Sequence, residues 1–154
     1  MMKKVFTEKQ KSSKLCIFCA SEYHLEMILL PYIKERINSS KFVILSQQDL
    51  EPTLKKLLDR INIEKKAKKQ IWELNWKEKS PIDIEKIMQN QKEQNLTIII
   101  NGKYEYIKNT NEYLQKNFKN RITTIDCFHI GDTNVNIEAL SKKYKQILNT
   151  SFCA

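Results

Sequence analysis

Four short apolar segments, each followed by a stretch with helical periodicity, constrain the fold of this chain more than any other feature. They lie at residues 14–21, 41–46, 96–100 and 121–128. Strands that are apolar along their whole length are typical of parallel sheets that helices cover on both faces. The order of the segments therefore predicts an α/β fold, a three-layer sandwich around a mainly parallel central sheet of about five strands.

The stretches between these strands carry helix signals. After Ser21, apolar residues recur at three- and four-residue spacing as far as Ile37, and Pro31 is expected to kink or divide that helix. Asp49 is the expected N-cap of a second helix that runs to about Arg60.

The later helices are predicted from caps and spacing. Ser80 and Pro81 begin one that extends to about Gln94, Thr110 caps another that extends to about Phe118, and 135–148 forms a closing helix. Residues 70–76 alternate in polarity and are interpreted as a short or edge strand, in which the tryptophans at 72 and 76 pack or form an aromatic recognition pair.

Length and composition favour one domain. The 154 residues, 41% of them apolar, fit a polar leader at 1–13 and a single α/β domain at 14–150. No apolar run approaches a membrane span, and no secretory signal follows the N-terminal lysines. We therefore expect a cytoplasmic protein without membrane contact. The sequence does not predict its oligomeric state.

The cysteines are expected to be reduced thiols. Cys16, Cys19 and Cys127 lie in or beside predicted buried strands, and Cys153 lies near the end of the chain. Cys16 and Cys19 have the C-x-x-C spacing, but residues three apart in a strand point to opposite faces of the sheet. No metal site is therefore predicted.

The two glycines of the chain, Gly102 and Gly131, exclude several nucleotide-binding motifs by number alone. A G-x-G-x-x-G fingerprint needs three glycines, and a Walker A loop needs glycines before a lysine and a Ser or Thr. Asn101-Gly102-Lys103 lacks both the earlier glycine and the Ser or Thr. No cofactor is predicted.

The positive charge of +9 comes mostly from lysine, since Arg36, Arg60 and Arg121 are the only arginines. Sequence-specific recognition of nucleic acid favours arginine, so the lysines at 65, 66, 68 and 69 are interpreted as a solvated helix face. A lysine-rich nucleic-acid-binding protein is kept as a second alternative.

Ligands of parallel α/β sheets bind beyond the carboxyl ends of the strands. The polar or reactive residues at these positions are the predicted ligand-binding set: Cys19, Ser21, Ser46, Gln47, Asn101, His129 and Asp132. The leading hypothesis is a non-enzymatic sensory or regulatory domain that binds a small organic ligand or a regulatory protein partner at this edge.

Cys19 supports a different alternative, a thiol-dependent enzyme or phosphocarrier. It precedes a predicted helix N-terminus, whose dipole is expected to lower the pKa of the thiol. Cys19 and His129 reach the same sheet edge and form a conceivable catalytic pair, for which no third, orienting residue is assigned. A phosphocarrier cysteine here would be similar to the sugar-phosphotransferase IIB proteins, although Glu22 and Tyr23 replace the small residues expected around a phosphate.

The segment KLCIFCASEYHLEMILLPYIKERINSSKFVILS and the closing segment ITTIDCFHIGDTNVNIEALSKKYKQIL resemble a known family, the MEDS sensory domain of DcmR-type methanogen and methylotroph regulators. The resemblance covers roughly residues 13–150, and the positions in the first segment that fit are Cys16, Phe18, Ser21, Glu22, Leu30, Pro31, Tyr32 and Ile33. Lys14 replaces the opening histidine, Cys19 replaces an aromatic residue, and 38–40 lack the usual glycine.

The resemblance implies a core similar to the RecA/KaiC ATPases without a working phosphate loop. It implies signal sensing, with small organic molecules as ligands. The family often carries a DNA-binding or kinase module, for which this chain is too short, so a stand-alone sensor or adaptor is expected.

Overall fold

The computed structural model describes residues 13–91, 95–118 and 122–149. Their five strands form one parallel sheet in the order β2-β3-β4-β1-β5. The strands are β1 (Ser13–Cys19), β2 (Lys41–Ser46), β3 (Leu96–Asn101), β4 (Ile122–His129) and β5 (Gln146–Leu148). The helices are α1 (Glu22–Arg36), α2 (Glu51–Arg60), α3 (Lys65–Trp72), α4 (Pro81–Gln89), α5 (Tyr104–Asn117) and α6 (Ile137–Ser141).

Helices cover both faces of the sheet, so the predicted three-layer α/β class is confirmed. Apolar residues of α1, α2 and α3 pack on what we call the first face, in a cluster with Ile17, Ile44 and Ile99. Residues of α4, α5 and α6 pack on the second face with Ile98 and Ile100. The alternation of side chains along each strand thus divides the apolar runs between two cores.

This alternation separates the two cysteines of the C-x-x-C segment. Cys19 belongs to the first-face core and Cys16 to the second-face core, as predicted. Cys16, Cys19 and Cys127 are buried free thiols, whereas Cys153 and most of the leader lie outside the described residues. Across the described ranges, no three His, Cys, Asp or Glu side chains are grouped in a way that could hold a metal ion.

The four predicted strands are confirmed within one or two residues at each end. The fifth strand is not where the sequence pattern predicted it. Residues 70–76 end helix α3 and enter a turn, because Trp76 folds into the first-face core and donates its indole N–H to the Ile71 carbonyl at 2.7 Å. Trp72 is 39% exposed, so the two tryptophans do not form a recognition pair.

The closing helix predicted at 135–148 is also wrong in most of its length. Helix α6 spans Ile137–Ser141 only, and Gln146–Leu148 forms the short edge strand β5 beside β1. Tyr144, between them, donates its hydroxyl proton to the buried carboxylate of Asp126 on β4 at 2.5 Å. This bond ties the chain to the sheet before β5 begins.

Two other helix boundaries differ from the prediction. Helix α5 begins at Tyr104, and Thr110 lies inside it, where its hydroxyl donates to the Tyr106 carbonyl instead of capping the helix. Helix α4 begins as predicted, with a capping box between Ser80 and Asp83, but ends at Gln89 rather than about Gln94.

The effect of Pro31 on the first helix and the N-cap of the second helix also differ from the prediction. Helix α1 runs undivided through Pro31. Helix α2 ends at Arg60 as predicted, and the Asp49 carboxylate accepts from the Glu51 N–H at 3.0 Å from a position just before the N-cap Leu50. Within the described ranges, no helix combines the length and apolar character needed to cross a membrane.

The strand order places a change of crossover direction between β1 and β4. These strands are neighbours, but β1 leads to α1 on the first face and β4 leads to α6 on the second face. In open α/β sheets, ligands commonly bind at the carboxyl ends of the strands near such a reversal.

Candidate ligand cleft at the carboxyl ends of the strands

Four polar side chains stand at the last positions of four adjacent strands: Ser46 on β2, Asn101 on β3, His129 on β4 and Cys19 on β1. We call them the polar row. Cys19 pairs in register with His129, and Ser46 pairs with Asn101. Alternation places all four on the side of the first-face core.

Hydrogen bonds connect Ser46, Asn101 and His129, and the Cys19 thiol lies within reach of two acceptors, the Phe128 carbonyl oxygen at 3.5 Å and His129 Nδ1. Ser46 Oγ donates to the Gln48 carbonyl oxygen at 2.6 Å, and Asn101 Nδ2 donates to Ser46 Oγ at 3.0 Å. Asn101 Oδ1 then lies 2.8 Å from His129 Nε2, and His129 Nδ1 lies 3.6 Å from Cys19 Sγ. Side-chain hydrogen bonds therefore link β2, β3 and β4.

The direction of these bonds follows from the Gln48 carbonyl, which can only accept. Because Ser46 gives its proton to this carbonyl, Ser46 Oγ accepts from Asn101, and the amide oxygen of Asn101 faces His129. His129 must then carry its proton on Nε2, which leaves an acceptor lone pair on Nδ1 facing the Cys19 thiol. The row thus fixes the histidine tautomer.

Burial sets the charge states of this pair. Cys19 is fully buried, and burial, with a contribution from Glu22, raises the pKa of its thiol to about 12. The predicted lowering by the helix dipole is therefore wrong. Burial lowers the pKa of half-buried His129, against the opposing charges of Glu22 and Asp132. At neutral pH the pair is a neutral thiol and a neutral imidazole.

His129 also borders a cleft of about 480 Å³ at this edge of the sheet. The rest of its lining comes from the loops after β2, β3 and β4: Gln48, Gly102, Lys103, Gly131, Asp132, Thr133 and Asn134. The polar row therefore meets solvent-accessible space at its histidine.

Side chains of the chain itself engage the backbone N–H groups around the cleft. Gln47 Oε1 accepts from Lys103 N at 2.9 Å. The Asp132 carboxylate accepts from Tyr104 N at 2.8 Å and from Asn134 N at 3.0 Å, and these bonds lower its pKa. The N-terminus of α5, a common anion site, thus already holds an internal carboxylate.

The loop after β1 is organised in the same way. His24 Nδ1 accepts from Ala20 N at 3.0 Å, and Ser21 Oγ accepts from His24 N at 3.1 Å as the N-cap of α1. Glu22 adds a carboxylate in the first turn. This loop therefore presents no arrangement of amides suited to a phosphate.

The two glycines have different surroundings. A Cβ on Gly102 would lie 2.8 Å from Gln47 Oε1 and 2.8 Å from a ring carbon of Tyr106, so this position packs too tightly for a side chain. A Cβ on Gly131 would meet nothing within 4 Å, and neither glycine has a positive φ. Gly131, which lines the cleft, therefore has room for a side chain.

The structure joins four of the seven predicted residues, Cys19, Ser46, Asn101 and His129, in the polar row. The side chains of Gln47 and Asp132 brace the loops, and that of Ser21 caps α1. Gln47 and Asp132 reach the row only through the backbone, since their N–H groups donate to the carbonyl oxygens of Asn101 and His129. Asn101 is the orienting residue that the sequence did not assign to the Cys19–His129 pair.

Some residues that line the cleft were missing from the predicted set. Gln48, Lys103, Thr133 and Asn134 lie in its wall. Their positions directly after strands were visible in the sequence, but which of them face the cleft depends on loop geometry.

A larger depression of about 710 Å³ lies at the opposite end of β2, lined by 37–42, Gln70, Glu73, Leu74 and Asn95. It has no histidine or cysteine among its lining residues. Its chemistry is poorer than that of the smaller cleft, so its size does not make it the better candidate site.

Neither the models of known protein families nor the curated proteins give a match to this chain.

Proposed function

We propose that this chain is a cytoplasmic sensory or regulatory domain that binds a small organic ligand in the cleft beside His129. The observation that carries the proposal is the meeting of the hydrogen-bonded polar row with a cleft of about 480 Å³. A volume of this order suits a small molecule.

The lining indicates how such a ligand would be recognised. Side chains of Gln47 and Asp132 already accept hydrogen bonds from backbone N–H groups around the cleft. A ligand would therefore be recognised by side chains. The same arrangement is unfavourable for nucleotide phosphates, which depend on groups of backbone N–H donors. A small organic molecule read by side chains agrees with the resemblance to the MEDS domain, which we retain as part of the proposal.

The test is a thermal-shift screen of small organic molecules with the whole chain. A ligand at 100 times its dissociation constant adds about 2.7 kcal/mol of stability, which corresponds to a rise in Tm of about 5 °C or more. Gly131→Trp should abolish the shift by filling the cleft, whereas Gly131→Ala, which adds only a methyl group in open space, should retain it.

His129→Ala and Ser46→Ala should weaken the binding of the same ligand, because they interrupt the polar row. A ligand whose shift is equal in the wild type and in Gly131→Trp binds elsewhere. That result, or a screen without any shift together with no protein captured in a pull-down, contradicts the proposal.

A thiol-dependent enzyme is the second candidate, because Asn101 completes a Cys–His–Asn arrangement. A phosphocarrier is less favoured than other thiol chemistry, since Cys19 is buried and Glu22 lies next to the loop that would hold the phosphate. The rate of Cys19 alkylation against pH separates these cases. A thiolate that forms near neutral pH would support the phosphocarrier.

A further inference from the structure

We propose that a groove between α1 and the end of α2 binds a single-chain carboxylate of about eight carbons, with the alkyl chain in the groove and the carboxylate on Lys34. The groove shares no lining residue with the cleft beside His129, so the inference is independent of the proposed function.

The groove has a volume of about 300 Å³, which is within the range of small-molecule sites. One wall is a single face of α1, because residues three and four apart on a helix are neighbours. It consists of Met27, Leu30, Pro31 and Lys34. The other wall comes from the end of α2 and the segment after it, and consists of Leu57, Ile61, Asn62 and Ile63.

The lining points to a ligand with an apolar body. Leu30 and Leu57 are buried members of the first-face core, and Ile61 and Ile63 pack against that core. Met27 is 42% exposed, so the groove is open to solvent and a ligand enters it without rearrangement of the core. An alkyl chain laid along these side chains would remove apolar surface from water.

Lys34 points to an anionic group at one end of this ligand. It is the only charged residue in the lining and is exposed in the last turn of α1. Its ammonium group has no ion pair or hydrogen bond with any other residue that the structure describes, and the adjacent Glu35 pairs with Arg36 at 3.1 Å. An unpaired cation beside an apolar groove is complementary to an apolar molecule that carries one carboxylate.

The spacing along α1 sets the length of the ligand. Met27 and Lys34 are seven residues apart, so they lie about 10 Å apart along the helix axis at a rise of about 1.5 Å per residue. Carbon–carbon bonds of about 1.5 Å zigzag along an extended alkyl chain, so about eight carbons span this distance. Octanoate therefore has the length of this face.

The surroundings of the groove favour a small molecule over a protein partner. The exposed residues in the last two turns of α2 are all charged: Lys55, Lys56, Asp59 and Arg60. Lysine and aspartate are depleted in protein interfaces, and a stable interface buries at least about 1,000 Å². The apolar surface here is confined to the groove itself.

The experiment is NMR of the whole chain labelled with ¹³C at the methionine methyl groups, titrated with sodium octanoate. The Met27 signal, assigned with Met27→Leu, should move, whereas the signal of Met88, buried in the second-face core, should not. From butanoate to octanoate, each added methylene should tighten binding by up to about fourfold, the factor for burial of one CH₂. Decanoate should add little, because the groove is then filled.

The charge is tested with Lys34→Met, which keeps the apolar stem of the side chain. It should weaken octanoate by about fivefold, the upper range for an exposed ion pair, and leave the binding of 1-octanol unchanged. Lys108→Met, at an exposed position of α5, removes the same charge away from the groove and should bind octanoate as the wild type does.

Three results overturn the inference: a Met27 signal that does not respond to octanoate, an affinity that is independent of chain length, or equal octanoate affinity in Lys34→Met and the wild type. A Met27 signal that moves with protein concentration alone also overturns it, since a second copy of the chain then covers the groove. Gly131→Trp should leave octanoate binding unchanged. Loss of binding in that variant would place octanoate in the cleft, which supports the proposed function and contradicts this inference.

Discussion

Glu26, on α1, carries a buried carboxyl group, and its replacement is our most discriminating test of the fold. The residue is fully buried, and among the residues that the structure describes neither carboxyl oxygen has a hydrogen-bond partner. The nearby Thr53 hydroxyl donates instead to the Leu50 carbonyl at 3.3 Å. Burial raises the pKa of Glu26 from 4.5 to about 8, with Thr53 opposing the rise and Glu22 adding to it.

The sign of the pH dependence follows from this rise. The folded state holds the proton more tightly than the unfolded state, so the free energy of unfolding falls as pH increases from 4.5 to about 8. Each pH unit in that window is worth at most about 1.4 kcal/mol. The ideal loss is therefore about 5 kcal/mol, which relaxation and water entry should reduce to about 2–3 kcal/mol.

Glu26→Gln removes this ionisation while keeping the shape of the side chain. Urea unfolding followed by circular dichroism at pH 5, 7 and 9 should show the variant gaining on the wild type as pH rises, by about 2–3 kcal/mol at pH 9. Glu112→Gln, at an exposed position of α5, controls for the loss of one negative charge.

A difference between Glu26→Gln and the wild type that stays constant from pH 5 to pH 9 would refute the reasoning. It would mean that the carboxyl is hydrated or paired in solution. An equal gain in Glu112→Gln would attribute the effect to the net charge of +9 instead of burial.

The remaining predictions concern packing, capping, a buried hydrogen bond and charge. Gly102→Ala should destabilise the fold by about 1–3 kcal/mol in urea unfolding, because its Cβ meets Gln47 and Tyr106 at 2.8 Å, whereas Gly131→Ala should change it by less than about 1 kcal/mol. Ser80→Ala should cost about 1 kcal/mol through loss of the α4 capping box, measured in the same way. Tyr144→Phe should cost about 1.5–3 kcal/mol, since it removes a hydroxyl donor from a buried carboxylate. If the chain binds nucleic acid, its affinity for single- or double-stranded probes should fall steeply with salt, and absent or salt-insensitive binding removes that alternative.

The sequence predicted the layers well because burial leaves a clear pattern. Segments 41–46 and 96–100 are apolar at nearly every position. A helix of the same length would need apolar residues on one face only. Both became strands with the predicted limits to within one residue. The prediction of a closing helix at 135–148 was wrong for the opposite reason. Only Leu148 of β5 is buried, so the three residues of this edge strand leave no period to detect.

The prediction of a strand at 70–76 was wrong because tertiary packing outweighs the local alternation of polar and apolar residues. Trp76 is buried in the first-face core and bonds to the Ile71 carbonyl, which requires a turn after α3 that an edge strand would not allow. The prediction of Thr110 as a helix N-cap was wrong for a similar reason. Its side chain suits a cap, but Asp132, 22 residues further along the chain, accepts the first N–H of α5 instead.

The polar row shows how much of a site can follow from strand alternation. Once β1 to β4 are aligned, their last residues fall on one face at one edge, so the meeting of Cys19, His129, Asn101 and Ser46 needs only the strand order in addition. The charge states need more than this. A sequence places Cys19 before a helix, which suggests a low thiol pKa, whereas the depth of the core raises it. The residue types at strand ends therefore predict where chemistry is located, and burial decides which chemistry it is.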